Sequence, residues 1–514
     1  MLFDVNISWT RKEKENEHHI SWISLIFRGG VTLFYSIPQK YRWKWLIVLS
    51  FAFVYAASTI GLFFVVLTSV IVYLAAKKIE EVDDDRKKNV LIAAMGACLF
   101  ILIFLKYLSD LSIFTQGNLM IFGNEMTIQG VIKKYLLPIG MSYYTLQVIS
   151  YLLDVYWGRM DAEEDYWKVL LFTCYFPQLV QGPISKYSEL APELFKEHKL
   201  DWKNIKYGVQ LMLWGFFKKM LIADRIGVYV NAIFHEGVTP YGLTAWIGLV
   251  FYGIQLYCDF SGGIDVIRGV SECFGIGLKE NFRQPYFSLS LGEFWRRWHI
   301  SLGTWMKDYI FYPVSMAGWM SALKKKLKKI TSRKTATRVA MAIADLLVFA
   351  LVGIWHGLGT NYLAWGVYNG VILAVSAILV DEYAVWKNKL HIDSQAGYWK
   401  VISLIRTLLI VTIGWIFDCT YTAGAAGELF VHLFAFGKTD LSVIALSITD
   451  VVVLFAGCLA LLFVDVLHEK NLEVRQIIET KNYWVQVAFW TIVIQMIACF
   501  GRVASAGGFM YANF

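Results

Sequence analysis

Two histidines stand where their chemistry could be used. His356 ends a long apolar stretch and is flanked by glycines at positions 353, 357 and 359, while His299 lies in a segment rich in tryptophan and arginine. An ionisable group at membrane depth is costly, so its presence there indicates function. The unperturbed pKa of histidine, about 6.5, suits general-base catalysis near neutral pH. A packing or hydrogen-bonding role is the alternative for His356 judged alone.

Residues next to His356 in the sequence, and two aspartates about 100 residues before it, are further candidates for an active site. The flanking glycines would let backbone and ligand approach closely, and Trp355 could form a wall of the site. Two carboxylates, Asp259 and Asp265, lie six residues apart. That pair is compatible with a metal or glycosyl-transfer site, but we favour polar residues that line a buried cavity or pair with Arg268.

The sequence lacks the motifs of several other enzyme classes. It contains no Gly-x-Ser-x-Gly elbow, no Walker A loop and no His-Glu-x-x-His helix. Its 7 cysteines form no Cys-x-x-Cys pair, so they predict neither a zinc site nor a disulfide framework. The lysines and arginines behind the net charge of +8 sit in short loops between apolar stretches, which argues against a nucleic-acid partner. We therefore predict no metal site and no bound cofactor.

The elements that must position these residues are membrane-spanning helices. Of the 514 residues, 57% are hydrophobic and 17% are charged, whereas a soluble globular chain carries about 25% charged residues. Apolar stretches of about 18 residues, long enough to cross a bilayer as a helix, recur along almost the whole chain. They predict an all-α polytopic bundle of about 10 to 12 spans, some broken or re-entrant, embedded in a lipid bilayer.

Changes in composition divide the chain into four predicted segments. Residues 1–19 form a polar tail, 20–130 the N-terminal spans, 131–420 a catalytic core and 421–514 the C-terminal spans. Glycines and prolines interrupt the apolar runs of the middle segment. Short broken helices of this kind are tolerated at membrane depth where protein or a wet cavity covers their backbone. Interfacial loops are the alternative interpretation.

Loop charges predict the orientation in the membrane. Basic loops at 38–44, 77–88 and 324–338 should face the cytoplasm, which places the N-terminus outside. The loop at 324–338 carries eight basic residues and no acidic one. We favour contact with anionic lipid for this loop over binding of a coenzyme A phosphate.

A stripe of large apolar residues predicts one amphipathic helix near the membrane boundary. The stripe recurs at helical spacing in Phe294, Trp298, Leu302 and Trp305. Arg296, Arg297 and His299 lie off the stripe and should face a polar environment.

Four segments in order resemble the membrane-bound O-acyltransferase family (MBOAT), and most closely its alginate O-acetyltransferase-like branch. The segments are Leu137-Pro-Ile-Gly-Met-Ser-Tyr-Tyr-Thr-Leu-Gln147, Phe176-Pro-Gln-Leu-Val-Gln-Gly-Pro-Ile184, Glu280-Asn-Phe-Arg-Gln-Pro-Tyr286 with Glu293-Phe-Trp-Arg-Arg-Trp-His-Ile-Ser-Leu-Gly-Thr-Trp305, and Gly353-Ile-Trp-His-Gly357. The resemblance runs from about residue 20 to about residue 420. One departure is Gly263, where many relatives carry a tyrosine.

The resemblance implies a helix bundle with a central tunnel. The family's essential histidine falls on His356 and its second histidine on His299. Trp355, Asn281, Trp305, Asp259 and Asp265 are expected to contact substrate.

The resemblance also implies a reaction across the plasma membrane. The acyl donor, expected to be acetyl-CoA, enters from the cytoplasm, and a polysaccharide hydroxyl arrives from outside. In some relatives an extracytoplasmic acetyltransferase receives the acyl group, so such a partner or a polysaccharide-export protein is expected.

Two alternatives to polysaccharide acetylation follow from the same residues. The first, within the family, is D-alanyl transfer toward teichoic acid from a carrier-protein thioester. The second is a transporter or flippase, because broken helices and intramembrane aspartates also suit that class. The ordered series of four motifs favours an acyltransferase over a transporter.

Overall fold

The computed structural model describes residues 29–108, 118–121, 124–127, 140–179, 181–235 and 238–502. These residues are helical almost throughout, which confirms the prediction of an all-α polytopic protein. Two short antiparallel strands, β1 (Asn118–Ile121) and β2 (Asn124–Thr127), are the exception in the described ranges. The predicted polar tail at 1–19 and the predicted outside location of the N-terminus fall outside the described residues.

The helices of the first half of the chain range from 4 to 32 residues in length. Residues 29–36 are helical. The helices that follow are α1 (Arg42–Ala57), α2 (Thr59–Glu81), α3 (Asp84–Leu108), α4 (Met141–Tyr156), α5 (Tyr166–Cys174), α6 (Phe176–Leu179), α7 (Tyr187–Phe195), α8 (Trp202–Phe216), α9 (Asp224–Phe234) and α10 (Gly242–Cys273). A π-helical segment, Phe217–Ala223, joins α8 to α9.

The second half begins with short helices, and long and short helices then alternate. These are α11 (Leu291–Arg297), α12 (Ile300–Met306), α13 (Tyr312–Met316), α14 (Gly318–Leu327), α15 (Arg333–His356), α16 (Thr360–Ile378), α17 (Val380–Lys389), α18 (Gly397–Gly414), α19 (Ala423–His432), α20 (Ile448–Glu469), α21 (Val474–Glu479) and α22 (Tyr483–Phe500). A second π-helical segment, Lys307–Phe311, follows α12. Single turns of 3₁₀-helix occur at Gln39–Tyr41, Pro285–Phe287 and Phe436–Lys438.

In the part of the chain that is described, 8 helices are long and apolar enough to cross a membrane. They are α2, α3, α10, α15, α16, α18, α20 and α22. The expected total of about 10 to 12 spans counted further apolar stretches. One of these, at 45–57, belongs to the 16-residue α1, and another, at 20–37, begins before the first described residue.

Backbone contacts divide the chain into two compact units, and the division falls inside the predicted core at 131–420. The described part of the first unit covers residues up to 212 and the segment Ile267–Leu278. Its short helices α5 to α7 agree with the predicted interruption of the middle segment. Gly140 has φ +71°, and a Cβ there would lie 1.7 Å from the carbonyl oxygen of Leu179. Only glycine fits this contact, so the first two motif segments pack against each other.

The second unit covers residues 213–266 and, from residue 279, the described C-terminal part. Its clearest feature is the antiparallel pair α15 and α16. A Cβ on Gly353 would lie 2.4 Å from the Tyr362 carbonyl oxygen, and one on Gly366 would lie 2.3 Å from that of Phe349. The glycines therefore let the two backbones touch, which is how helices associate closely where water supplies no hydrophobic drive.

The predicted single amphipathic helix at 291–313 is wrong. The chain breaks between α11 and α12, where His299 adopts φ +46°. The four stripe residues are nevertheless buried, with Phe294 and Trp298 only 1% and 3% exposed. The spacing of these residues correctly indicated that they are buried. It did not indicate that the backbone breaks between them. His299, placed off the stripe, is buried as well.

Candidate active site

His356 lies at the C-terminal end of α15, as the sequence predicted, within a set of aromatic rings. The imidazole centroid is 5.0 Å from Trp355, 5.5 Å from Trp365 and 6.3 Å from Tyr362. A Cβ on Gly357 would lie 2.5 Å from the Tyr362 ring. Gly357 is therefore required for Tyr362 to take its place beside the histidine.

The position of Trp365 beside His356 is fixed by contacts with Trp295 and Asn369. Trp295 on α11 packs edge-on against Trp365 at 5.3 Å. Its indole N–H donates to Asn369 Oδ1 at 3.3 Å, and Asn369 Nδ2 donates to the carbonyl oxygen of Trp365 at 2.9 Å. Edge-to-face aromatic pairs and buried hydrogen bonds both fix geometry. The α11 segment is thereby attached to the helix pair that carries His356.

His299 is held by the backbone around it. Ile300 N–H donates to the carbonyl oxygen of Asn281 at 3.0 Å, and Ser301 N–H donates to Asn281 Oδ1 at 2.9 Å. Two residues further along, Arg283 N–H donates to Arg297 O at 2.9 Å. A left-handed backbone is unfavourable for a residue other than glycine, and such conformations persist where neighbours over-determine them. Asn281, predicted to bind substrate, thus caps α12 and supports the turn of His299.

His299 lies close enough to His356 for the charges of the two imidazoles to interact. His299 is 4% exposed and packs edge-on against Phe260 at 4.9 Å. Burial, with a smaller contribution from the charge of His356, lowers the pKa of His299 to about 3. His299 is therefore neutral at physiological pH. A neutral imidazole offers one N–H donor and one acceptor nitrogen, so its chemistry is hydrogen bonding rather than positive charge.

Asp259 and Asp265 form buried ion pairs with two consecutive lysines. Lys219 Nζ lies 2.5 Å from Asp259 Oδ1 and 2.8 Å from Asp224 Oδ1. Lys218 Nζ lies 2.8 Å from Asp265 Oδ2 and 2.9 Å from Ser261 Oγ. Breaking a buried pair leaves an uncompensated charge, so these pairs hold the π-helical segment against α10. Sequence reasoning missed both lysines, although two lysines in the apolar run 211–223 were a visible signal.

Trp305 lies at the end of α12, where its ring packs at 5.3 Å against Tyr309. It is buried, six residues along the chain from His299. Within the described residues no group of three or more His, Cys, Asp or Glu side chains could hold a metal ion.

A loop that sequence reasoning did not single out is tied to the turn after His356. Asn361 Nδ2 donates to the carbonyl oxygens of Phe417 at 3.0 Å and Thr420 at 2.9 Å, and Ala423 N–H donates to Thr360 Oγ1 at 3.1 Å. Asp418 lies between the two carbonyl groups that Asn361 holds. A single carboxylate between Phe417 and Cys419 was the only signal in the sequence.

The chain is similar in sequence to known membrane acyltransferases. The model of the MBOAT, membrane-bound O-acyltransferase family, matches residues 164–415. A Probable alginate O-acetylase AlgI of Pseudomonas syringae pv. tomato is 34% identical over 313 residues, 61% of this chain and 54% of the relative. A Peptidoglycan O-acetyltransferase of Helicobacter pylori is 28% identical over 373 residues, 67% of this chain and 64% of the relative.

A more distant relative carries a different acyl group in its name. A Teichoic acid D-alanyltransferase of Bacillus subtilis is 27% identical over 286 residues, 54% of this chain and 67% of the relative. The chain thus spans between about half and two thirds of the length of these relatives. The family match covers both histidines and the helices that position them, and the chain belongs to the membrane-bound O-acyltransferase family.

Proposed function

We propose that this protein transfers an acetyl group from a cytoplasmic thioester, acetyl-CoA, to a hydroxyl of an extracytoplasmic polysaccharide. The observation that carries the proposal is the position of His356 at one end of α15, within the range of electrostatic interaction with the neutral His299. The other end of α15 carries the basic segment, where Lys334 and Arg338 pair with Asp381 at 3.1 and 2.6 Å. A helix of 24 residues is about 36 Å long, enough to cross a hydrocarbon core of about 30 Å.

The positive-inside rule then gives the site its direction. With the basic end of α15 in the cytoplasm, the His356 end faces the outer side of the plasma membrane. The donor is made in the cytoplasm and the polymer lies outside, so a site reached from both sides resolves the separation of the two substrates. Two relatives are named for acetylation of alginate and of peptidoglycan, both polymers of sugars.

In the proposed reaction His356 acts as the general base. Its imidazole takes the proton of the acceptor hydroxyl while that oxygen attacks the thioester carbonyl carbon. The C–O bond forms, the C–S bond breaks, and the departing thiolate takes the proton back from His356. No proton is gained or lost overall. The same chemistry serves a relay in which an extracytoplasmic acetyltransferase or export partner receives the acetyl group.

The negative charge that develops on the carbonyl oxygen needs hydrogen-bond donors. Backbone N–H groups of the turn after His356 and the indole of Trp305 are candidates. Gly357 N–H already donates to Gly353 O at 3.3 Å, which leaves the N–H groups at 358 and 359 in that turn. The neutral His299 is a further donor close to His356. Its neutrality suits the role, because an N–H donor held without charge does not compete for the proton of His356.

D-alanyl transfer toward teichoic acid is the second candidate function. It is supported by the match to a D-alanyltransferase, at lower identity and over a smaller share of this chain than the acetylases. Membranes that contain the protein, supplied with radiolabelled acetyl-CoA or with D-alanyl carrier protein, distinguish the two. We expect polymer labelling from acetyl-CoA only.

The central experiment compares histidine variants in living cells. Mild alkali releases ester-linked acetate from the extracellular polymer, and this acetate is measured at matched protein levels. His356→Gln should lower it about 100- to 10,000-fold, the usual cost of removing a general base. His299→Gln should lower it less, and the exposed His235→Gln is the matched control. Full acetylation with His356→Gln would reject the acyltransfer mechanism and reopen the transporter alternative.

A further inference from the structure

The loop after α18 is built onto the turn that carries His356. Three hydrogen bonds join the two segments, from Asn361 to the carbonyl oxygens on either side of Asp418 and from Ala423 to Thr360. Asp418 N–H itself donates to Trp415 O at 3.1 Å, which fixes the start of the loop. A loop tied at its centre and at its end has little freedom, so the position of Asp418 relative to the turn is fixed.

Tyr362 links Asp418 to the catalytic histidine. Its ring lies nearly parallel to the His356 imidazole, at 25° and 6.3 Å. The same phenol is close enough to Asp418 to interact with its charge. Within the second unit, one aromatic face therefore lies beside His356, and one carboxylate lies near that same ring.

The outer end of α15 is where the acceptor must arrive, given the orientation proposed above. Asp418 is at that end, because its loop is tied to residues 360–361, which directly follow the turn of His356. A carboxylate accepts hydrogen bonds from two vicinal hydroxyls, and an aromatic face offers an apolar surface to the C–H groups of a sugar ring. Together they form the combination of groups that recognises a carbohydrate.

The side chain of Asp418 is half-buried, yet the protein around it disfavours the ionised form of its carboxyl group. Burial raises the pKa of Asp418 to about 7. The titratable groups next to it are the phenol of Tyr362 on α16 and the thiol of Cys419 in its own loop. Neither group supplies a positive charge, so incoming hydroxyls would be the natural partners for the ionised carboxylate.

We propose that Asp418 binds hydroxyl groups of the acceptor sugar at the entrance to His356, with Tyr362 as its stacking partner. This inference rests on the proposed transfer to a polysaccharide and names part of the acceptor site. Asp418 holds the sugar so that one hydroxyl reaches the imidazole, and it exchanges no proton with the substrate.

The test uses the acceptor that the producing cells themselves make. Extracellular polymer is isolated, freed of ester groups with mild alkali, and titrated into membranes that contain the protein and acetyl-CoA. Release of the free thiol measures the rate, and His356→Gln sets the background. Asp418→Asn keeps the size of the side chain but weakens its acceptor strength, and the exposed Asp393→Asn is the matched control.

Asp418→Asn should raise the half-saturating polymer concentration about tenfold, the cost of one hydrogen bond to a charged group, with a smaller change in the maximal rate. The pH dependence gives an independent readout. In the parent protein, the rate at low polymer concentration should rise with pH as two groups lose a proton, Asp418 and the general base His356. In Asp418→Asn only the general base still titrates, so the rate should rise through one ionisation.

Two results would overturn the assignment of Asp418. One is an unchanged half-saturating concentration and pH dependence in Asp418→Asn, whatever happens to the maximal rate. The other is an equal effect in Asp393→Asn. Thiol release that does not differ between the parent protein and His356→Gln would instead reject the proposed function itself.

Discussion

Gly366→Ala adds one methyl group outside the active site, and we expect it to lower the activity of the enzyme. In the pair α15 and α16 the added Cβ would lie 2.3 Å from the carbonyl oxygen of Phe349, whereas real Cβ atoms essentially never come within 3.0 Å of another atom. The obstacle is backbone, which cannot rotate away. The two helices must therefore separate by about 0.7 Å, and overpacking of this kind costs about 1–3 kcal/mol.

The separation should reach the active site, because Phe349 lies two turns before His356 on the same helix. A misplacement of about 1 Å in an active site can cost about 100-fold in rate. We expect Gly366→Ala to lower ester-linked acetate on the polymer at least about tenfold at matched protein levels. The purified protein should also unfold at a lower temperature.

Gly427→Ala is the matched control for this substitution. Gly427 also lies inside a helix of the second unit, but a Cβ there meets nothing within 4 Å. Alanine favours helix over glycine by about 1 kcal/mol, so this variant should be fully active and no less stable. If Gly366→Ala behaved like Gly427→Ala in both measurements, the close contact of the two backbones would not position His356.

Three further predictions concern the support of His299, the topology and the chemistry. Asn281→Ala should lower acetylation more than Asn281→Asp, because aspartate keeps an oxygen that accepts the Ser301 N–H. In a His299→Gln background, Asn281→Ala should lower acetylation little further, and additive losses would mean that Asn281 acts elsewhere. Cysteines placed in the basic segment 324–338, which comprises the end of α14, a short turn and the start of α15, should resist an impermeant thiol reagent added to intact cells. Their labelling from outside would reverse the orientation. Purified protein treated with EDTA should keep its transfer activity, and a loss restored by one specific metal would contradict this.

The sequence placed His356 at the end of a long helix because a simple rule applied to it. An ionisable residue at the end of an apolar run is unusual in any helix, and α15 ends at His356 as expected. The ordered motifs predicted the family and the all-α fold. The glycines of Gly353-Ile-Trp-His-Gly357 were read as allowing close approach, and the neighbour that approaches is Tyr362.

What the sequence could not supply depends on contacts between distant segments. The stripe from Phe294 to Trp305 keeps its helical spacing across a break. Hydrogen bonds that Ile300 and Ser301 N–H donate to Asn281 hold the left-handed turn, and local preference does not predict it. The partners of Asp259 and Asp265 come from a segment about 40 residues earlier. The loop that carries Asp418 is tied to the turn after His356 by Thr360 and Asn361, which lie more than 50 residues before it.

The support of His299 has a consequence for how this enzyme can change. The bonds that fix the turn run to main-chain N–H groups at positions 300 and 301, so they do not depend on which side chain position 299 carries. Asparagine and aspartate enter left-handed conformations more readily than most residues. Asparagine, which stays uncharged when buried, could replace His299 without refolding the turn, which makes this a position where reactivity can be tuned separately from architecture. Variation there offers engineers, and natural selection, a route to new acyl or acceptor preferences at little structural risk.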